Sequence, residues 1–137
     1  MKEARFVKLI KRNLILYKWM RIETTTMHGF PDLIGVSPQL DTVFVEAKVA
    51  KGNKIKLSPH QISMGIKLWK DTGGCSYLIV FKEHAKPLRS YSVNLYETRI
   101  SLNLLENGVN EPPTAEGWHT ICRYLQAVHG SRPKKPK

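Results

Sequence analysis

Cysteines, acidic residues and long apolar runs are all scarce in this chain of 137 residues. Two cysteines, Cys75 and Cys122, are too few to form a metal site by themselves, and we expect both to be reduced. No stretch approaches the roughly 18 apolar residues of a membrane span. Lysines and an arginine interrupt the opening residues, which excludes a secretory signal. These absences predict a cytoplasmic protein without a membrane partner.

The few acidic residues are unevenly distributed. Lys and Arg number 22 against 11 Asp and Glu, giving a formal net charge of +11, and such an excess usually indicates a polyanionic partner such as nucleic acid. Residues 1–21 net +6, residues 22–47 net −4 without a single base, and residues 48–89 net +7. Solvated faces can produce such alternation by chance. The alternative is an acidic segment that binds a cation between basic segments that bind phosphate.

The pattern of apolar residues predicts a single α/β domain with a mixed sheet. The predicted elements are a helix over 3–13, strands over 15–26, 33–37, 42–49, 75–82 and 90–96, a helix from Ser58 to 72, and a last helix over 115–129. We expect the domain to span residues 1–130, with a core over 1–82 and an extension over 83–130. Residues 131–137 are predicted to be a basic, disordered tail.

The sequence Ser58-Pro59-His60-Gln61 predicts the start of the second long helix. Ser58 can cap the first turn, Pro59 fits its first position, and Gln61 completes a capping box. Apolar residues along this helix predict its buried face, namely Ile62, Ile66 and Trp69.

The hairpin of strands 33–37 and 42–49 brings two carboxylates together. With residues 38–40 as its loop, Asp32 lies directly opposite Glu46, whereas a four-residue loop makes them diagonal neighbours; either way their Cβ atoms are about 5–8 Å apart. Lys48 shares a face of the strand with Glu46. Such a carboxylate pair needs a proton, Lys48 or a metal cation, and oxygen ligands suit Mg²⁺ or Mn²⁺. No Cys/His cluster offers a zinc alternative.

These residues resemble a known motif. Pro31-Asp32, thirteen residues and then Glu46-Ala47-Lys48 resemble the PD-(D/E)XK nucleases, and the stretches HGFPDLIGV, TVFVEAKVAKG and KLSPHQ resemble their VRR-NUC branch of phage and bacterial nucleases. The resemblance implies a restriction-endonuclease-like core with the fold of Holliday junction resolvases, in which helices flank a mixed sheet in α-β-β-β-α-β order. It covers residues 1–82 and assigns nothing to residues 83–137.

The resemblance implies a magnesium-dependent DNA endonuclease, with Mn²⁺ able to substitute, that hydrolyses phosphodiester bonds in branched, flap or junction DNA during repair or recombination. A homodimer is expected, because two copies of one site cut two strands most simply. The location would be the cytoplasm of a bacterium, or of a host cell if a phage encodes the chain. The alternatives are a non-catalytic nucleic-acid-binding module on a nuclease-like scaffold and an RNA-processing nuclease.

The resemblance also implies roles for individual residues. Asp32, Glu46 and the Ala47 carbonyl would hold the metal, with Glu3 as a further ligand directly or through water. Lys48 would position or help deprotonate the attacking water and stabilise the phosphorane charge, and Gln61 would orient Lys48 or the water.

Plainer interpretations exist for each of these residues. A surface salt-bridge cluster would explain Asp32, Glu46 and Lys48, favourable placement at a helix N-terminus would explain Glu3, and capping alone would explain Gln61. Seven basic residues are predicted to contact nucleic acid, and for each of them a solvated loop or helix face is the plainer alternative. They are Lys51, Lys54, Lys56, His28, Lys8, Lys11 and Arg12.

Overall fold

A mixed six-stranded sheet forms the centre of the computed structural model, which describes residues 1–22, 28–84 and 90–130. Its strands lie side by side in sequence order: β1 (Lys18–Arg21), β2 (Leu33–Ser37), β3 (Leu40–Val49), β4 (Ser76–Glu83), β5 (Tyr91–Glu97) and β6 (Ala115–Glu116). Strands β3 and β4 are parallel and the other neighbours are antiparallel. The helices are α1 (Glu3–Asn13), α2 (Pro59–Asp71), α3 (Ser101–Asn107) and α4 (Trp118–His129). The predicted fold class, a mixed sheet flanked by helices, is confirmed.

The alternation of side chains along β4 divides the core into two layers, because successive residues of a strand point to opposite faces. Tyr77, Ile79 and Phe81 belong to an apolar cluster that includes residues of α1 and α4. Leu78 and Val80 belong to a second cluster that includes residues of α2 and α3. Both faces of the strand are therefore buried, as the unbroken apolar run in its sequence predicts.

The hairpin of β2 and β3 has the predicted register and a different turn. Leu33 pairs with Val45, and this alignment continued by one position places Asp32 opposite Glu46. The turn is shorter than predicted, because Ser37 already pairs with Leu40. An irregularity between Gly35 and Ser37 offsets this one-residue difference, so that Gly35 and Leu33 have the predicted partners Val43 and Val45. The register therefore depends on a bulge that the sequence does not reveal.

Helix α2 begins as predicted but faces the sheet differently. Both halves of the capping box between Ser58 and Gln61 are present. Ile62 is buried, whereas Ile66 is 37 % exposed, so the prediction of an inward Ile66 is wrong. Gly65 is buried instead, because Thr98 packs against it and donates a hydrogen bond from Oγ1 to the Gly65 carbonyl at 2.6 Å.

Other differences concern short elements. Helix α3 was not predicted, and residues 115–116 form β6 rather than the start of the last helix. On α4, the apolar pattern predicts that Ile121, Leu125 and Val128 face inward; Ile121 and Leu125 are buried, but His129 is buried in place of Val128. Within the described part, the strand predicted over 15–26 is limited to Lys18–Arg21. Residues 23–27, 85–89 and the predicted disordered tail 131–137 lie outside the described residues. No helix among the described residues is long and apolar enough to span a bilayer.

Candidate active site

Two carboxylates meet at the end of the β2–β3 hairpin. Asp32 precedes β2, and its Oδ2 accepts a hydrogen bond from the backbone N–H of Ala47 at 3.0 Å. Glu46 lies on β3 and is only 6 % exposed. Lys48, two residues further along β3, is 7 % exposed. A surface salt-bridge cluster does not describe residues this deeply buried, because such clusters are open to water.

The environment of Glu46 makes its negative charge unfavourable. Burial, followed by the charge of Asp32, raises the pKa of Glu46 to about 9, and the positive charge of Lys48 only partly opposes this effect. Hydrogen bonding with Asp32 and the charge of Glu3 add to the increase. A carboxyl group with this pKa holds a proton at neutral pH until a cation replaces it. The pair therefore has the electrostatic properties of a cation site.

Gln61 connects the start of α2 to both charged residues of β3. Its Oε1 accepts hydrogen bonds from the Ser58 backbone N–H at 3.0 Å and from Lys48 Nζ at 3.1 Å. Its Nε2 donates to Glu46 Oε1 at 3.1 Å. Capping and contact with the candidate site are thus performed by the same amide, so the two interpretations of Gln61 are compatible.

Glu3 approaches the site from the first turn of α1. Lys48 Nζ lies 3.8 Å from Glu3 Oε1 and 3.8 Å from Glu46 Oε1, and the Glu3 side chain is half exposed. The ammonium group is therefore shared by two carboxylates and the Gln61 amide. Glu3 also lines the solvent-accessible grooves beside the site, so water or a ligand can reach it.

The loop before Asp32 rests on the start of α2. Gly29 has a φ of +81°, and a Cβ atom there would lie 2.2 Å from the His60 carbonyl oxygen, so glycine is required. The exposed His28 ring packs 5.5 Å from the His60 ring, between centroids. This contact holds the His28 ring on the surface beside the start of α2.

The predicted lysines of the basic loop line an open groove. Lys51, Lys54 and Lys56 are exposed, and all three border a groove of about 890 Å³ between their loop and α3. A smaller pocket of about 290 Å³ contains Lys56 together with Lys48 and Gln61. The basic loop therefore adjoins Lys48 and Gln61, the neighbours of Glu46.

Three other predicted basic residues lie further away. Lys8, Lys11 and Arg12 are exposed on α1, and they follow Glu3 by about 8–14 Å along the helix axis at 1.5 Å per residue. They extend the basic surface and do not enter the cluster around Glu46.

A second group of ligand-type side chains was missed. Asp41, Cys75 and His129 have one potential ligand atom each within 4.8 Å of one another. The expectation that cysteine and histidine do not cluster is therefore wrong. Separations of 54 residues between Cys75 and His129, and 88 between Asp41 and His129, leave no spacing signal in the sequence.

Comparisons with known proteins identify related families and folds. A family model described as archaeal Holliday junction resolvase (Hjc) matches residues 20–108, which is more than half of the chain. The match contains Asp32, Glu46, Lys48 and Gln61 and excludes Glu3. No curated protein matches.

Among solved structures, a Holliday junction resolvase of the hyperthermophilic archaeon Archaeoglobus fulgidus shares 15 % identity with a TM-score of 0.55, covering 73 % of this chain and 75 % of that chain. At that identity the likeness shows the fold. The predicted nuclease fold of the Holliday-junction-resolvase type is confirmed, whereas the VRR-NUC branch and a phage origin stay predictions.

Proposed function

The chain belongs to the archaeal Holliday junction resolvase family, and from that premise we propose that it is a magnesium-dependent endonuclease that hydrolyses phosphodiester bonds in branched DNA. The observation that carries the proposal is the buried Glu46, held against Asp32 and hydrogen-bonded through Gln61 to Lys48. An acidic pair that can hold a divalent cation, beside a fixed ammonium group, supplies charges suited to metal-assisted phosphodiester hydrolysis.

The donor atoms of the site fit a hard divalent cation. Asp32 and Glu46 offer carboxylate oxygens, and burial together with mutual repulsion makes their shared charge unfavourable without a positive partner. Mg²⁺ prefers such oxygen ligands and retains several waters, and Mn²⁺ has similar preferences. We infer that Asp32, Glu46 and the Ala47 carbonyl hold the cation, with Glu3 as a further ligand directly or through water. When bound, the cation polarises water and the scissile phosphate.

Lys48 and Gln61, next to the acidic pair, have a different role in the proposed reaction. The Gln61 Oε1 atom restrains Lys48 Nζ by a 3.1 Å hydrogen bond, so the ammonium group has a fixed direction before substrate binds. From that position it stabilises the negative charge that develops on the phosphate and orients the attacking water. Because Gln61 is hydrogen-bonded to both Lys48 and Glu46, we assign it a positioning role.

The basic groove supplies the DNA-binding surface of this proposal. Lys51, Lys54 and Lys56 line the groove beside the carboxylates, and contacts of this kind bind phosphates without reading sequence. Such contacts favour recognition of DNA shape. His28, Lys8, Lys11 and Arg12 would extend the path of the DNA. A homodimer would present two such sites to the two strands of a junction.

Cleavage assays with matched variants test the proposal. The wild-type chain is expected to cut a four-way junction or flap with Mg²⁺ faster than plain duplex DNA, and to lose cleavage in EDTA. Lys48→Ala is expected to lower the cleavage rate by about 100–1,000-fold, as for loss of a preorganised charge in other enzymes, while DNA binding persists. Lys67→Ala is the matched control, because Lys67 forms an exposed ion pair with Asp71 on α2.

Three outcomes contradict the proposal. Cleavage by Lys48→Ala at the wild-type rate shows that this site does not cut the DNA. Tight, salt-sensitive binding with no cleavage of any substrate, with Mg²⁺ or Mn²⁺, indicates a non-catalytic binding module. Preferential cleavage of the same branched structure made of RNA indicates an RNA-processing nuclease.

A further inference from the structure

The opposite end of β3 carries a second cluster of ligand-type side chains. Asp41 lies at the start of β3, Cys75 directly precedes β4, and His129 ends α4. Cys75 and His129 are 4 % and 2 % exposed, whereas the Asp41 side chain is 26 % exposed. Asp41 precedes Glu46 by five residues, or about 15 Å along a strand. The cluster is therefore separate from the candidate active site.

The distances within this cluster are close to those of a tetrahedral metal site. His129 Nδ1 lies 2.9 Å from Asp41 Oδ2 and 3.9 Å from Cys75 Sγ. Zinc bonds of usual length at tetrahedral angles separate nitrogen from oxygen by about 3.4 Å and nitrogen from sulfur by about 3.6 Å. Shifts of about 0.5 Å would satisfy both separations, and the water-exposed side of Asp41 leaves room for a fourth ligand.

The surroundings hold the three ligands in place. Tyr77 Oη lies 2.7 Å from His129 Nε2 and donates to the Gly74 carbonyl at 3.3 Å, so it can accept a hydrogen bond from the Nε2–H, which leaves Nδ1 without a proton for a metal. Metal-binding histidines usually have such a partner on their other nitrogen. The backbone of Asp41 is fixed because its carbonyl accepts a hydrogen bond from Tyr17 Oη at 2.9 Å.

We propose that Asp41, Cys75 and His129 form a binding site for a thiophilic divalent cation, zinc in particular, which fastens the end of α4 to the starts of β3 and β4. One thiolate, one imidazole and one carboxylate select zinc over magnesium, because sulfur and nitrogen ligands suit softer metals. Cys75 belongs to the apolar cluster that includes residues of α1 and α4, whereas Ile62, next to Gln61 on α2, belongs to the cluster on the other face. Its role is structural and independent of DNA cleavage.

Cobalt spectroscopy on the folded chain tests the sulfur ligand directly. Addition of Co²⁺ to the reduced wild-type protein is expected to produce a thiolate charge-transfer absorption band at one equivalent, which zinc then abolishes. Carboxylates alone, as at Asp32 and Glu46, cannot give this band. Cys122→Ala is expected to keep the band and Cys75→Ala to lose it. Absence of the band from the wild type, or its loss in Cys122→Ala, overturns the proposal.

Zinc affinity measured by competition with a chromophoric chelator tests the other ligands. Asp41→Asn is expected to weaken zinc binding more than about 100-fold, and Tyr77→Phe, which removes the partner of Nε2 but no metal ligand, by about 10–100-fold. Zinc at 100 times its Kd is expected to raise the unfolding midpoint of the wild type by about 10 °C. Unchanged zinc affinity in Asp41→Asn, or an unchanged midpoint of the wild type, overturns the proposal even if Cys75→Ala fails to fold.

Discussion

The two ends of strand β3 carry buried polar clusters of different kinds. Near its C-terminal end, Glu46 and Lys48 place charges of opposite sign next to the start of α2. At its N-terminal end, Asp41 meets a thiol and an imidazole against the apolar layer of α1 and α4. The first cluster faces an open groove and the second is almost enclosed. By our two proposals, one strand carries the catalytic residues at one end and a structural metal site at the other.

The strongest test of this difference removes one carboxylate from each end. Glu46→Gln is expected to lower the rate of DNA cleavage by about 1,000-fold or more, because the amide cannot hold a cation beside Asp32. Asp41→Asn is expected to leave cleavage unchanged and to lower the free energy of unfolding by about 1 kcal/mol through its weaker contact with His129. Cleavage rates on a four-way junction and urea denaturation measure both effects. Equal loss of cleavage in the two variants would contradict the assignment of catalysis to the Glu46 end of the strand alone.

A second pair of variants separates positioning from capping at the start of α2. Both Gln61→Ala and Ser58→Ala break the capping box, and each is expected to lower the free energy of unfolding by about 1 kcal/mol. Only Gln61→Ala releases Lys48 and Glu46, and it is expected to lower cleavage by a further 10–100-fold, roughly the effect of losing a partner of a metal ligand. If the cleavage rates of the two variants fall equally, Gln61 is only a cap.

The raised pKa of Glu46 predicts that the free energy of unfolding depends on pH through this residue of the candidate active site. Burial raises this pKa from 4.5 to about 9, so between these pH values the folded, metal-free chain holds a proton that the unfolded chain has released. Its contribution to the free energy of unfolding is full below pH 4.5 and falls as the pH rises toward 9, by at most about 1.4 kcal/mol per unit.

Urea denaturation of the wild type and Glu46→Gln in EDTA, at several pH values, isolates this contribution. The difference between the two chains is expected to shrink or change sign as the pH rises. Mg²⁺ affinity is expected to increase over the same range, because the cation must displace the proton. A wild type that gains stability relative to Glu46→Gln with rising pH would contradict the assignment.

The smallest expected effects concern the groove. Replacing Lys54 by Ala is expected to weaken binding of every DNA structure by a similar factor and to lower the slope of log affinity against log salt by about 0.9. Lys67→Ala, on the exposed face of α2, is expected to leave this slope unchanged. Fluorescence anisotropy across a salt series measures the slope. A change confined to one DNA structure would indicate shape readout by Lys54 instead.

Local sequence signals predicted which side chains meet at the candidate active site. The residues that meet there are close in sequence, and each is marked by a local rule: the hairpin aligns Asp32 with Glu46, alternation places Lys48, and capping places Gln61. The hairpin alignment was right although the turn was wrong, since the bulge between Gly35 and Ser37 compensates for the shorter turn. The burial of Glu46 and Lys48 could not be read from their charge.

Features that depend on distant residues were not predictable in this way. Ile66 matches the helical period of a buried face, yet the contact of Gly65 with Thr98 decides how α2 meets the sheet. Helix α3 is too short to give a clear period. Asp41, Cys75 and His129 meet only because the parallel β3–β4 pair and α4 bring them together. Tertiary packing determines each of these features.

The shared hydrogen bonds of Gln61 have a mechanical consequence. Its Oε1 atom has two lone pairs, and the Ser58 N–H and Lys48 Nζ use both of them. Ser58 directly follows the basic segment that contains Lys51, Lys54 and Lys56. Under the proposed function, DNA bound by these lysines would act on the segment that ends at Ser58. Because the Ser58 N–H and the Lys48 ammonium group share one oxygen atom, a movement of that segment would also move the group that we propose to stabilise the phosphate charge.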